Sequence, residues 1–292
     1  MKIALIGKDG QLGWELQHTL TSVGEVISLG REELDVTDVD AVQRTLIELQ
    51  PNLIINASAY TEVDLAETHV GLATNINAIA PGVMAETARK LSAVFIHYST
   101  DYVFDGKNNI SYVETDLTNP LSVYGKSKLM GEENIKQAGD AYLILRTSWV
   151  YSLRGNSFVN KVLGWSRNNK TLRIVIDQIS CPTWARALAE ITTQAIATNN
   201  ANLLDILRER RGIYHLAGSG YTSRYEWAKQ ILANDPKRTE QLIQTIEPVP
   251  SSEFPTAAVR PLFSALNNEK FAGVFSLRLP NWEDALQVAL NG

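Results

Sequence analysis

Lys2-Ile3-Ala4-Leu5-Ile6-Gly7-Lys8-Asp9-Gly10-Gln11-Leu12-Gly13 opens the chain, and its reading decides the fold. Lys2 to Ile6 is a short apolar run without alternation, as a strand buried on both faces requires. Gly7, Gly10 and Gly13 follow at once in the spacing G-x-x-G-x-x-G, and Trp14, Leu16, Gln17 and Leu20 begin a helical pattern. Strand, glycine turn and helix together form the arrangement that seats a dinucleotide. Glycines let the backbone turn tightly and approach a pyrophosphate, whose charge then meets the N–H groups of the helix start. Gly7, Gly10, Gln11, Leu12 and Gly13 are therefore the expected phosphate-binding residues. The spacing departs from G-x-G-x-x-G, and a plain turn is the competing reading.

Outward from this stretch the alternation of strand and helix continues. Glu25 to Leu29 reads as a second strand ending at Gly30-Arg31, where the adenosine ribose of a dinucleotide lies. An acid there would bond the ribose hydroxyls. Arg31 suits a 2′-phosphate instead, so NADPH is favoured and NADH stays open; a solvated arginine in a charged turn is the alternative. Asp35 and the Val36 backbone are placed to bracket an adenine, and Thr37-Asp38 also reads as a cap for a helix over 38–49. Leu53-Ile54-Ile55 is a third strand. The small residues after it, Asn56-Ala57-Ser58-Ala59-Tyr60-Thr61, let the chain pass close to a flat ligand, which adds Ala57, Ala59, Tyr60 and Thr61 to the cofactor set.

A helix near 75–91 tolerates Pro81 close to its start. Ala93 to His97 is a fourth strand, running into Tyr98-Ser99-Thr100-Asp101. Hydroxyls at the C-terminal end of a central strand lie in the ligand crevice of an open sheet. Tyr98 is thus a cofactor candidate, and Thr100 can donate to a substrate carbonyl or simply cap a turn. Asn119-Pro120-Leu121-Ser122 breaks the chain before a helix from Tyr124 to about Gln137. Tyr124 and Lys128, four apart, share one face of it. A positive neighbour draws a phenol down from its usual value near ~10, fitting it to exchange a proton with a carbonyl or alcohol. Alone, such a pair is common surface decoration. Tyr142 to Arg146 is a fifth strand, and Trp149 beyond it suits an apolar wall for a sugar or nicotinamide, or core packing.

Residues 1–150 thus predict an α/β fold, a Rossmann-type doubly wound parallel sheet with helices on both faces. Residues 151–292, with strands near 173–176 and 212–216, predict a smaller substrate-binding region open to interleaving, of which about 173–198 packs back on the first. Apolar residues make up 45% and charged residues 20% of the chain, an ordinary globular balance. The net charge of −5 offers no basic excess for nucleic acid or an anionic membrane. A lone cysteine, Cys181, allows no internal disulfide and fits a cytoplasmic setting. No run of about 18 apolar residues predicts a membrane span, and the first apolar run is too short for a signal peptide. The four histidines lack metal-ligand spacing.

Four pieces in order carry a family resemblance: Gly7-x-x-Gly10-x-x-Gly13, Asn56-Ala57-Ser58-Ala59, Ser99-Thr100, and Tyr124-x-x-x-Lys128. The chain resembles an extended short-chain dehydrogenase/reductase. It is similar, nearly end to end, to the branch that reduces the C4 keto group of dTDP-4-dehydro-L-rhamnose, through His97 to Phe104, Tyr124 to Glu132, Leu145 to Tyr151, Asp177-Gln178, Pro182-Thr183 and Arg260-Pro261. The resemblance implies a nicotinamide cofactor, a small dTDP-sugar substrate, and catalysis by Tyr124, Lys128 and Thr100. It also implies sugar contacts from Asp101 and Trp149, a water-steadying Asn77 near Lys128, and Arg260 as a diphosphate partner. Similar sugar-nucleotide dehydratases carry Asp-Glu after the Thr; here the pair is Asp101-Tyr102, so dehydration lacks its base. Some relatives dimerise around Mg²⁺ held by glutamates; Glu15 and Glu190 match two of these, and a third has no counterpart. Monomer and homodimer both stay open. The competing functions are an NADP-binding regulatory subunit and an NAD-dependent nucleotide-sugar epimerase.

Overall fold

The computed structural model describes residues 1–291. β1 (Lys2–Ile6) lies inside a six-stranded sheet with β2 (Glu25–Leu29), β3 (Leu53–Asn56), β4 (Val94–Thr100), β5 (Tyr142–Thr147) and β6 (Gly212–His215). The order across it is β6-β5-β4-β3-β1-β2, and every pairing is parallel. Neighbouring strands on the two sides of β1 follow it in opposite directions along the sheet, so the switch point lies between β1 and β3. β4 runs on to Thr100, carrying the hydroxyl residues inside the sheet rather than beyond it.

Alternate side chains of the strands serve two cores. Ile3, Leu5, Ile55, Ile96 and Leu145 face α1 (Gln11–Thr19) through Leu12 and Leu16, together with Leu188 and Phe271. Ala4, Ile6, Ile54, Phe95 and Ile144 face the other side, against Val42, Leu46, Met84 and Ile135. Full burial of both faces explains why these strands read as unbroken apolar runs.

Residues on both sides of position 150 build this unit. β6 belongs, by number, to the region assigned from sequence to the substrate part, yet pairs along β5. The helix Ala185–Ala197 contributes Leu188, Ala195 and Ile196 to the core beside α1. The strand Thr171–Val175, in contrast, pairs in parallel with Thr245–Val249, away from the main sheet. Around that pair Tyr151, Trp227, Trp282 and Leu286 form a separate core. The predicted helix near 75–91 is Val70–Thr74, a π-helical turn Asn75–Ile79, and Ala80–Lys90. Pro81 follows this wider turn and stands in the first turn of Ala80–Lys90, where a missing N–H is tolerated.

Candidate active site

A cleft of about 620 Å³ follows the C-terminal ends of the central strands. Its phosphate end is the glycine turn. Gly7 has φ +91°, and a Cβ on it would stand 2.6 Å from the Ser58 nitrogen. A Cβ on Gly10 would meet only the Gly7 carbonyl, at 3.5 Å, so its outer side opens on the cleft. No side chain caps α1 at Gly10, which leaves the helix's first N–H groups to a ligand. A pyrophosphate fits this turn on those grounds. Gln11 and Leu12 line the cleft, and Gln11 also accepts a 2.7 Å bond from the Ser152 N–H. Gly13 differs from expectation: it lies off the cleft, and a Cβ there would sit 1.9 Å from the Gly7 carbonyl. It serves the close packing of helix on turn.

Arg31, Asp35 and Val36 line the adenosine end, with Ala57, Ala59, Tyr60 and Thr61 along one wall. The Arg31 side chain is 83% exposed, its Nε 3.9 Å from Asp35. Asp35 accepts from the Thr37 N–H and hydroxyl, which holds its carboxyl below the usual range. Asp38 caps the helix Val39–Leu49, as its position suggested. Asn77 is fully buried but does not face Lys128: its amide clamps the Tyr60 backbone in both directions and donates to Ser127.

At the other end, β4 and the helix Val123–Ala138, capped by Ser122, bring Thr100, Tyr124 and Lys128 into one cleft. Ser122 accepts from the Gly125 N–H and starts the helix one residue before Tyr124. The Thr100 hydroxyl donates to Asp101 Oδ1 at 3.2 Å and accepts from the Tyr102 N–H. The ring of Tyr102 meets that of Tyr124 edge-on at 5.6 Å. Burial pushes the Tyr124 phenol up, with the nearby Thr100 hydroxyl opposing. Lys128 was expected to pull it down. Its Nζ instead turns to the Tyr98 carbonyl at 2.6 Å and to His97 Nε2 at 3.0 Å. Burial lowers its own pKa to about 8. The long side chain finds its acceptor on the strand beneath it, and so does not lean on the phenol. Tyr98 lines the cleft while its hydroxyl donates to Thr192.

Asp101 is buried, with Oδ2 accepting from Ser180 and Ser264 and Oδ1 from Thr100. Burial raises its carboxyl to about 6 against these three donors. Trp149 lines the cleft with a left-handed φ of +41°, a strained setting for a bulky residue. Its ring also stacks on Trp227, and the Arg224 guanidinium lies 3.7 Å over it. Trp149 thus packs against its neighbours while it also lines the cleft. Arg260 stands beside Tyr102 but off the cleft lining, and Asp64 binds it at 2.6 Å. As a diphosphate partner it would first have to share that carboxylate.

Glu15 and Glu190 both line a second cleft of about 480 Å³. They share it with Arg154 and Arg186, and Arg186 donates to Glu190 at 3.0 Å. Among the described residues no group of three acidic, histidine or cysteine side chains gathers to hold a metal. Sequence reading passed over Arg224, Ser180, Ser264 and His97. For His97 a signal existed: a polar residue in the middle of an apolar strand run.

The family model described as RmlD substrate binding domain matches residues 1–292. A dTDP-4-dehydrorhamnose reductase of Salmonella typhimurium is 41% identical, over 97% of this chain and 95% of that protein. The chain belongs to the dTDP-4-dehydrorhamnose reductase family. As a member of that family it is an oxidoreductase, and the doubly wound sheet expected from the glycine turn is the family's fold. A crystal structure of such a reductase from Clostridium acetobutylicum is 35% identical, covers 100% of this chain and 99% of its own, and superposes with a TM-score of 0.89. One from Bacillus anthracis, in complex with NADP, is 31% identical with a TM-score of 0.87, covering 99% of this chain and 98% of its own.

Proposed function

We propose that the protein reduces the C4 keto group of dTDP-4-dehydro-L-rhamnose to give dTDP-L-rhamnose, with NADPH. The observation that carries this reading is one continuous cleft, with the glycine turn at one end and Thr100, Tyr124 and Lys128 at the other. The names of the relatives support the sugar, and the Bacillus anthracis complex supports the phosphorylated cofactor.

When bound, the reduced nicotinamide supplies the hydride. Gly7, Gly10 and the free N–H groups of α1 hold the pyrophosphate, and Arg31 meets the 2′-phosphate. Thr100 orients the sugar carbonyl, its hydroxyl turning from Asp101 to donate where negative charge develops. Tyr124 gives its proton to that oxygen. Trp149 walls the sugar, while Asp101 holds Thr100 in place. Tyr102, an aromatic ring where a dehydratase needs a carboxylate, leaves no base to remove water.

The test is oxidation of NADPH by the purified protein, followed by its absorbance, with dTDP-4-dehydro-L-rhamnose generated in place by the upstream enzymes. Loss of absorbance that needs both protein and sugar is expected. Tight NADPH binding without turnover would overturn the reading in favour of a binding-only role.

A further inference from the structure

We propose that Asp9 sets the cofactor preference of the cleft: its carboxylate receives the adenosine ribose hydroxyls of NADH and opposes the 2′-phosphate of NADPH. The inference rests on the reading of the glycine turn as a dinucleotide site. It adds a specificity-determining residue that acts against Arg31.

The adenosine ribose of a dinucleotide lies at the end of β2, and an acid there accepts from its hydroxyls. The chain has Gly30 at that place, with no side chain to offer. The fold brings an acid there from another element. The N–H groups of Gly7 and Lys8 both donate to the Leu29 carbonyl, at 2.8 Å and 3.3 Å, which ties the glycine turn to the end of β2. Asp9, next along that turn, then lies against Gly30. A Cβ on Gly30 would stand 2.1 Å from Asp9 Oδ2, so the carboxylate fills the space a side chain there would take. The same oxygen accepts from the Arg31 N–H at 3.3 Å. Asp9 is exposed and lines the cleft beside Gly30 and Arg31. Among the described residues Oδ1 has no hydrogen-bond partner, which leaves it to accept from a ligand.

An ionised carboxylate can only accept. The ribose diol of NADH brings it two hydroxyl donors. A 2′-phosphate brings acceptors and negative charge, and so sets a like charge against Asp9. The nearby cations are unequal in what they can offset. The Lys8 ammonium is bound to Glu33, whose other oxygen accepts from the Gly30 N–H at 2.8 Å. Arg31 is exposed, with Asp35 at 3.9 Å, and Asp35 is itself held by Thr37. Arg31 and Asp9 therefore face one ribose with opposite preferences. The cation suits the phosphate, the acid suits the bare diol, and Asp9 holds the preference for NADPH down.

Fluorescence titration of the full chain with NADH and with NADPH, without sugar, tests this. The wild-type Kd values are expected to lie within about 100-fold of each other. Asp9→Asn keeps the size of the side chain and, through its amide oxygen, the bond from the Arg31 N–H. It removes the charge and turns an NH₂ group toward the ligand. NADH should bind more weakly and NADPH more tightly, moving the ratio of the two Kd values at least about tenfold toward NADPH, as loss of a hydrogen bond to a charged group implies. A merely structural role would weaken both cofactors alike, and an unchanged ratio overturns the proposal. A wild-type preference for NADPH beyond about 100-fold overturns it whether or not Asp9→Asn folds. No sugar is needed, so failure of the proposed substrate would leave the ratio readable.

Discussion

Arg146 and Glu132 form a two-pronged ion pair, 2.7 Å and 2.9 Å long, between β5 and the helix that carries Tyr124. Both side chains are out of water, at 3% and 0% exposure. The pair clamps the helix to the sheet one turn beyond Lys128. Glu132→Ala leaves a buried cation without a partner and is expected to cost about 3–5 kcal/mol. Urea unfolding of the single variant, and of Glu132→Met with Arg146→Met, checks this: the double variant should recover much of the loss. Equal losses in both would place the effect in packing rather than charge.

Tyr124→Phe should keep cofactor affinity and lower turnover by about 10²–10⁴-fold, the usual contribution of a positioned acid. Fluorescence titration with NADPH and the rate of its oxidation separate the two. A variant turning over at the wild-type rate would remove Tyr124 from the chemistry.

Arg31 lies at the adenosine end of the cleft, exposed, with its Nε 3.9 Å from the Asp35 carboxylate. If it meets the 2′-phosphate, a charge-assisted bond worth about 1.5–3 kcal/mol is lost in Arg31→Ala. KM for NADPH should then rise about 10–100-fold, with KM for NADH changed little. Parallel rises for the two cofactors would show that Arg31 does not read the phosphate.

Asp101 carries a pH prediction. Its carboxyl is raised to about 6 in the folded chain, above an ordinary value near 3.8. Between those values the folded protein holds a proton that the unfolded chain has released. Stability from this group is therefore full below about pH 4 and lost as pH rises through about 6, by roughly 3 kcal/mol. Asp101→Asn should flatten the fall in urea midpoint across that window. An unchanged slope would assign the pH dependence to other groups.

Much of the fold was legible because it is local. Short, β-branched apolar runs bounded by glycine read as strands buried on both faces, and glycines between such a run and a helix leave few other turns. The same locality placed Thr100 at a strand end and Tyr124 and Lys128 on one helical face. Gly13 shows the limit: its type was readable, but whether it meets ligand or backbone depends on the 1.9 Å approach of the Gly7 carbonyl.

The sequence by itself determined the strand–turn–helix opening, the parallel sheet and the residue types of the cleft, since period and spacing are properties of neighbours along the chain. Only the tertiary structure decided where charged groups point. Lys128 faces His97 and the Tyr98 carbonyl rather than Tyr124, and Arg260 is held by Asp64. β6 likewise joins the first sheet from far down the chain. Partner choice in a low-dielectric interior depends on which donor and acceptor meet out of water, and no spacing along a chain encodes a contact between residues 30 to 196 positions apart.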